Sequence, residues 1–352
     1  MAESKRHQDG SLTVGTGTAR PGEVVRCGIP VGRDIYGNER RIPIIIINGV
    51  EKGPILWLNG GTHGDEAEGA ISIFKLLEVL DPTELRGVVV ACPVMNPEAF
   101  VTGSRGNPAD QFTYDMNRIY PGDRNGYPTA RVAAAHFEAM KPVCDLQINI
   151  HSGGDHSYLA EVIFCPDTPA CRELAGAMGP DWTMIMTSPS GGGNPSSQLA
   201  ALGKAAISIE LGGLCRTLTR EFHEVGEKLK DAYLNVLRHY SMIPGQARYA
   251  SKWNIGHQET VLAPATGVWI ARPDLEFLQP MAEGEVLGWI YDLYGNVVSE
   301  IRTPCKGMIA GIRSRPQVME GEWICFYAVV DEVRNDLIPP SSRSKKLKGG
   351  LQ

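Results

Sequence analysis

The 352-residue chain reads as an α/β protein, a mixed central sheet flanked by helices, followed by a smaller all-β part. Two observations predict the first part. Short apolar runs alternate with helix-length stretches over the first 240 residues. Those runs are β-branched and continuous rather than strictly alternating, as in a sheet covered on both faces. A third predicts the second part: from 257 to 331 no helical pattern occurs, only turn-punctuated strands.

In order, strand-like runs fall at 41–48, 54–59, 88–95, 143–150, 160–165, 183–187 and 205–210. Helical patterns lie at 66–80, 129–141, 168–178, 196–203 and about 219–240. Ile71, Phe74, Leu77 and Leu80 give the first helix its apolar stripe, and Asp81-Pro82 ends it, since proline cannot continue a helix. Beyond Pro244 the chain carries a quasi-repeat. Ala263-Pro264-Ala265-Thr266-Gly267-Val268 parallels Thr303-Pro304-Cys305-Lys306-Gly307-Met308, and Glu283-Gly284-Glu285-Val286 parallels Glu320-Gly321-Glu322-Trp323.

The chemistry-bearing residues sit where these strands end. His63-Gly64-Asp65-Glu66 follows the 54–59 strand and opens the first helix. An imidazole and a carboxylate three residues apart at such a junction can converge on one divalent metal. His151 ends the 143–150 run before Ser152-Gly153-Gly154, and Glu210 ends the 205–209 run before Leu211-Gly212-Gly213. Ligands of open α/β sheets bind at that carboxyl edge. Two histidines and one carboxylate are a ligand set of catalytic zinc with a position open for water. His63, Glu66 and His151 fill it, which leaves Glu210 free to move the water's proton. The H-E-x-x-H helix pattern is absent.

Composition narrows the class. Net charge is −6, with no basic stretch in the folded part, which argues against a nucleic-acid groove. No run of 18 apolar residues exists, and Met1 to Pro21 lacks a secretion-signal core. Eight cysteines are scattered without a C-x-x-C pair and read as buried thiols of a reducing cytoplasm.

Four ordered motifs then carry a resemblance. Gly60-Gly61-Thr62-His63-Gly64-Asp65-Glu66, Asp115-Met116-Asn117-Arg118-Ile119-Tyr120-Pro121-Gly122, Ile150-His151-Ser152-Gly153-Gly154 and Ile209-Glu210-Leu211-Gly212-Gly213 resemble the succinylglutamate desuccinylase/aspartoacylase family, relatives of the zinc carboxypeptidases, over about residues 40–331. The resemblance implies a zinc carboxypeptidase-like fold, one zinc per subunit, and hydrolysis of an N-acyl amino acid. It implies that Asn117 and Arg118 bind the substrate carboxylate and that Arg105 faces the scissile carbonyl. A guanidinium suits both roles, being a rigid, permanently charged fork. It also implies a substrate-holding tyrosine from the C-terminal part; Tyr291 and Tyr294 are candidates that no motif distinguishes.

The predicted domains are a disordered N-terminal tail 1–21, a zinc-hydrolase catalytic domain 22–243, a β-rich domain 244–335 and a basic disordered tail 336–352. The two-half β-rich domain resembles the biotinyl/lipoyl-type sandwich. Its hairpin-tip stretch, Tyr291-Asp292-Leu293-Tyr294-Gly295-Asn296, has no lysine to carry a cofactor. Ser190-Gly191-Gly192-Gly193-Asn194-Pro195 reads as a loop at the cleft rim; Asp155 reads either as an orienter of a zinc-bound imidazole or as a solvated loop aspartate, His156 as a loop histidine with a role beside the metal or substrate as the alternative, and His223 as surface. A carboxypeptidase would use the same residues with Arg118 on a peptide C-terminus, and a non-catalytic small-molecule-binding scaffold is the further alternative. The expected partner is a small N-acyl amino acid, with neither nucleic acid nor membrane. Acyl group, amine, physiological metal and homo-oligomer formation stay open.

Overall fold

The computed structural model describes residues 4–214 and 220–338. At its centre is a twelve-stranded mixed sheet. Its order is Pro280–Met281, Gly307–Arg313, Trp323–Arg334, Trp253–Leu262, Met184–Ser188, Ser157–Pro166, Ala205–Gly213, Leu146–His151, Glu51–Asn59, Arg86–Cys92, Glu39–Asn48 and Val24–Arg33. The continuous apolar runs follow from this position. Successive side chains of a strand point to opposite faces. Ile45 and Ile47 therefore enter one core while Ile44 and Ile46 enter the other. Helices Glu68–Val79, Pro169–Gly176 and Arg220–His239 pack on the first face, and Pro128–Met140 on the second.

The strands Glu51–Asn59, Leu146–His151 and Ala205–Gly213 run parallel to their neighbours in that group. Their carboxyl ends therefore lie along one edge, which collects His63–Glu66, His151 and Glu210. Helix and strand positions match the sequence reading to within a few residues. The strand Val24–Arg33 and the helix Pro97–Thr102 were not anticipated.

Three further differences emerge. Within the expected disordered tail 1–21, the described residues from 4 on instead carry a small antiparallel sheet, Lys5–Arg6, Leu12–Val14 and Gly17–Ala19. Leu12, Val14 and Ala19 are buried against the second core, so a polar-looking segment is held by three well-placed apolar residues. At the other end, Leu337 and Ile338 are buried in the first core, although the tail was placed from 336. Its basic residues lie outside the described residues.

The β-rich part is also less separate than its sequence suggests. Trp253–Leu262, Trp323–Arg334, Gly307–Arg313 and Pro280–Met281 extend the central sheet, while Val297–Arg302, Val286–Tyr291, Gly267–Ala271 and Gln317–Val318 form a second sheet. The extension curls until Gly307–Arg313 pairs with the start of Ser157–Pro166, through Gly311 with Leu159 and Arg313 with Ser157. Five strands thus close a ring around an apolar cluster that includes Ala160, Val162, Met184, Met186, Met308 and Ala310. Among the described residues no helix is long and apolar enough to cross a membrane. Five cysteines are buried, Cys27 and Cys305 are half-buried, and Cys215 lies outside the described residues.

Candidate active site

The Gly60-Gly61 turn brings the chain from the 51–59 strand over the sheet edge. Gly61 has φ 56°, and Gly60 lies so close to Gly69 that a Cβ there would be 2.9 Å from its carbonyl carbon. This turn drops His63 and Glu66 beside His151. All three are at most 4 % exposed. His63 Nδ1 lies 2.6 Å from Glu66 Oε1, and His151 Nδ1 lies 2.8 Å from Glu66 Oε2. One ligand atom from each of the three falls within 4.8 Å of the other two.

Each imidazole is oriented through its far nitrogen. His63 Nε2 lies 3.1 Å from Asp115 Oδ1, and His151 Nε2 lies 2.7 Å from the side-chain amide of Asn149. Outer partners of this kind fix the ring and its tautomer in metal sites. The charges are strongly coupled. Burial works against protonation of His63, but the carboxylates of Glu66 and Asp115 outweigh it and lift its pKa to about 9. For His151 burial prevails and the pKa falls. Burial likewise opposes ionisation of Glu66, yet the two imidazoles hold it well below the usual carboxylate range. One carboxylate does not support two buried imidazolium ions: His63 takes the proton that Glu66 balances, and His151 stays neutral.

Asp115 does more than orient His63. Its Oδ2 accepts from Arg105 Nε at 3.1 Å and Nη2 at 3.0 Å, and Arg105 Nη1 stands 3.9 Å from Glu66 Oε1. Asp115 also caps the short 3-10 turn Met116–Arg118 by accepting from the Asn117 backbone N–H. A single carboxylate therefore ties together His63, Arg105 and the Asn117-Arg118 pair. Tyr120, two residues on, is clamped from below: its hydroxyl meets His136 Nδ1 at 3.1 Å, and His136 Nε2 meets Asn59 Oδ1 at 3.0 Å. Gly193 covers the pair from the rim, where a Cβ would fall 2.2 Å from the Arg118 carbonyl oxygen.

His63, Glu66, Arg105, Asn117, Arg118, His151 and Glu210, the seven residues named from sequence, all line one cavity of about 560 Å³. Glu210 is in register with His151 on one side and with Val162 on the other. Its Oε2 is buried with no hydrogen-bond partner. Burial and the nearby Glu66 charge push its pKa well above the ordinary value, against the opposing pull of Arg105 and Arg118. Asn117 Oδ1 is likewise buried without a partner, whereas Arg118 is exposed.

Other sequence candidates fall outside this set. Asp155 pairs with Arg315 and His156. His156 lines the cavity against Trp323, with ring centroids 5.9 Å apart, and His223 is exposed. Tyr294 sits at a hairpin tip, 92 % exposed. Sequence reading passed over Asp115 and Asn149. The first stands inside a motif already noticed. The second is two residues before His151 on one strand, hence on the same face.

Comparison with known proteins follows the same lines. A model of the succinylglutamate desuccinylase/aspartoacylase catalytic domain matches residues 52–237, more than half of the chain. The chain belongs to this family. It is 28 % identical over 306 residues to the N-alpha-acetyl-L-2,4-diaminobutyric acid deacetylase of Halomonas elongata, spanning 83 % of this chain and 86 % of that one. Its fold is that of a succinylglutamate desuccinylase from Silicibacter sp. TM1040, with TM-score 0.77 and 22 % identity over 88 % of this chain and 95 % of that one. It is also that of the product-bound ectoine utilization protein EutE (DoeB) from Ruegeria pomeroyi, with TM-score 0.78 and 21 % identity over 92 % and 100 %.

Proposed function

We propose that this family member is a zinc-dependent hydrolase that cleaves the amide bond of an N-acyl amino acid or a similarly small N-acylated carboxylate. The observation that carries the reading is convergence. A two-histidine, one-carboxylate donor set, a glutamate with an unpartnered oxygen and two arginines line one cavity.

His63, Glu66 and His151 are the residues that would hold the metal. The donor set fits: both Nδ1 atoms and the carboxylate face one another, and the outward nitrogens are already engaged by Asp115 and Asn149. Nitrogen and oxygen donors of this kind also accept cobalt, nickel or copper. When bound, such an ion supplies Lewis acidity and lowers the pKa of water. The chain's own residues do the rest. Glu210 takes the proton of the attacking water and hands it to the leaving nitrogen, a transfer for which a raised carboxyl pKa is suited. Arg105 stabilises negative charge developing on the carbonyl oxygen. Asn117 and Arg118 anchor the substrate carboxylate. The Halomonas deacetylase gives the substrate class a precedent.

The same reading keeps residues 22–243 as the catalytic part and 244–335 as a β-rich part of biotinyl/lipoyl-like layout that walls the cavity without carrying a cofactor. Gln258, Trp323 and Phe326 line the cavity from that side. The scattered thiols suit a cytoplasmic setting.

The test is metal removal with a chelator, reloading with zinc, cobalt or nickel, and hydrolysis of N-acetyl and N-succinyl amino acids beside dipeptides. Loss and recovery of N-acyl cleavage are expected. Activity indifferent to chelation, or dipeptides cut faster than every N-acyl amino acid, would overturn the reading.

A further inference from the structure

The cavity is not uniformly polar. Behind Glu210, on the side away from His151, a recess of about 30 Å³ opens between strands of the five-stranded ring. Leu159, Val162, Phe164, Met186, Ala310 and Phe326 line it, with Glu210 and Gln258 as its polar contributors. Five of these residues, Leu159, Phe164, Glu210, Gln258 and Phe326, also line the main cavity, so the recess adjoins it. Trp323 stacks flat on Phe326, with centroids 4.4 Å apart and planes 3° from parallel, and lines the main cavity.

This recess comes from ring closure. Gly311 lets the 307–313 strand return, since a Cβ there would meet Leu159 Cδ2 at 2.1 Å. The closure carries Phe326 and Ala310 to within reach of Glu210. A volume of this size admits roughly two heavy atoms. Methionine at the wall adapts to the shape of what enters.

We infer that the substrate carries an uncharged apolar group beside its scissile amide, and that the recess between Leu159, Phe164, Met186, Ala310 and Phe326 receives it. The inference rests on the N-acyl hydrolase reading and narrows its substrate class. The group is the acyl chain or the amino-acid side chain. Either places methyl or methylene carbons against the ring, and a carboxylate there would lose its hydration with no cationic partner in the lining and Glu210 beside it.

The test uses the metal-loaded enzyme and N-acetylglycine as reference. One arm lengthens the acyl chain, with N-propanoyl- and N-butanoylglycine. The other lengthens the side chain, with N-acetylalanine and N-acetyl-2-aminobutanoate. N-Succinylglycine and N-acetylaspartate are the charged counterparts. Each methylene buried should raise kcat/KM roughly fourfold, so one arm should gain about fifteenfold over two added carbons and its charged counterpart should fall below the reference. Ala310→Val, which fills the recess, should remove most of that gain. It is read as the ratio of two substrates in the same variant, so that loss of folded protein cancels. Hydrolysis with no gain in either arm, or charged counterparts cut as fast as apolar ones, would overturn the inference and leave the hydrolase reading standing. Failure to cut any member of the panel would sink both.

Discussion

The two flanks of Glu210 differ in kind. On the His151 side nearly every polar atom is engaged: both imidazoles, Glu66, Asp115 and Arg105 form one bonded set. On the Val162 side the wall is mostly carbon, with Gln258 its one polar side chain besides Glu210. One strand therefore separates a charged cluster from a dry one, and the carboxyl on it feels both. The apolar flank withholds solvent from Glu210 and the charged flank sets Glu66 near it, and both effects raise its pKa. Polar residues concentrate charge where a metal and a carbonyl are to be handled. Apolar ones keep the same carboxyl from ionising too readily.

Four measurements would break or sharpen that contrast. The largest effect is expected on the shared residue. Glu210→Gln should lower kcat by about 10²–10⁴-fold while metal content is unchanged, and substantial residual turnover would remove Glu210 from proton transfer. On the charged flank, Asp115→Ala frees one imidazole and one guanidinium together. Metal affinity should drop about 10–100-fold by competition with a chromophoric chelator; an unchanged affinity would mean that His63 needs no outer partner.

Arg118→Ala should raise KM roughly tenfold and leave kcat nearly alone, because an anchor contributes equally in ground and transition states. A pure kcat effect would speak against anchoring. The smallest effect is on stability. His136 is held neutral by burial, at about 3 against an ordinary 6.5. Between those values only the unfolded chain gains the proton. Its contribution is therefore whole above pH 6.5 and is lost as pH falls toward about 3. His136→Gln should flatten the decline of Tm over that window, and an identical slope would contradict the assignment.

Much of the charged flank was legible without coordinates. His63, His151 and Glu210 each follow the end of an apolar strand with glycine close by, Glu66 stands three residues after His63 where the helix opens, and parallel strands place such ends on one edge. Asp115 was visible but unassigned, since its double contact spans 52 residues to His63 and ten to Arg105. The N-terminal strands were missed because Leu12, Val14 and Ala19 are too few to give a periodic signal.

What the sequence by itself determined is the order of elements and the identity of the polar residues at the sheet edge, because both follow from local patterns a few residues long. The tertiary structure alone decided the apolar flank. Leu159, Met186, Ala310 and Phe326 come from four separate strands and share no motif. They meet only because the sheet curls until residue 311 lies beside residue 159, and that closure depends on contacts between segments some 150 residues apart.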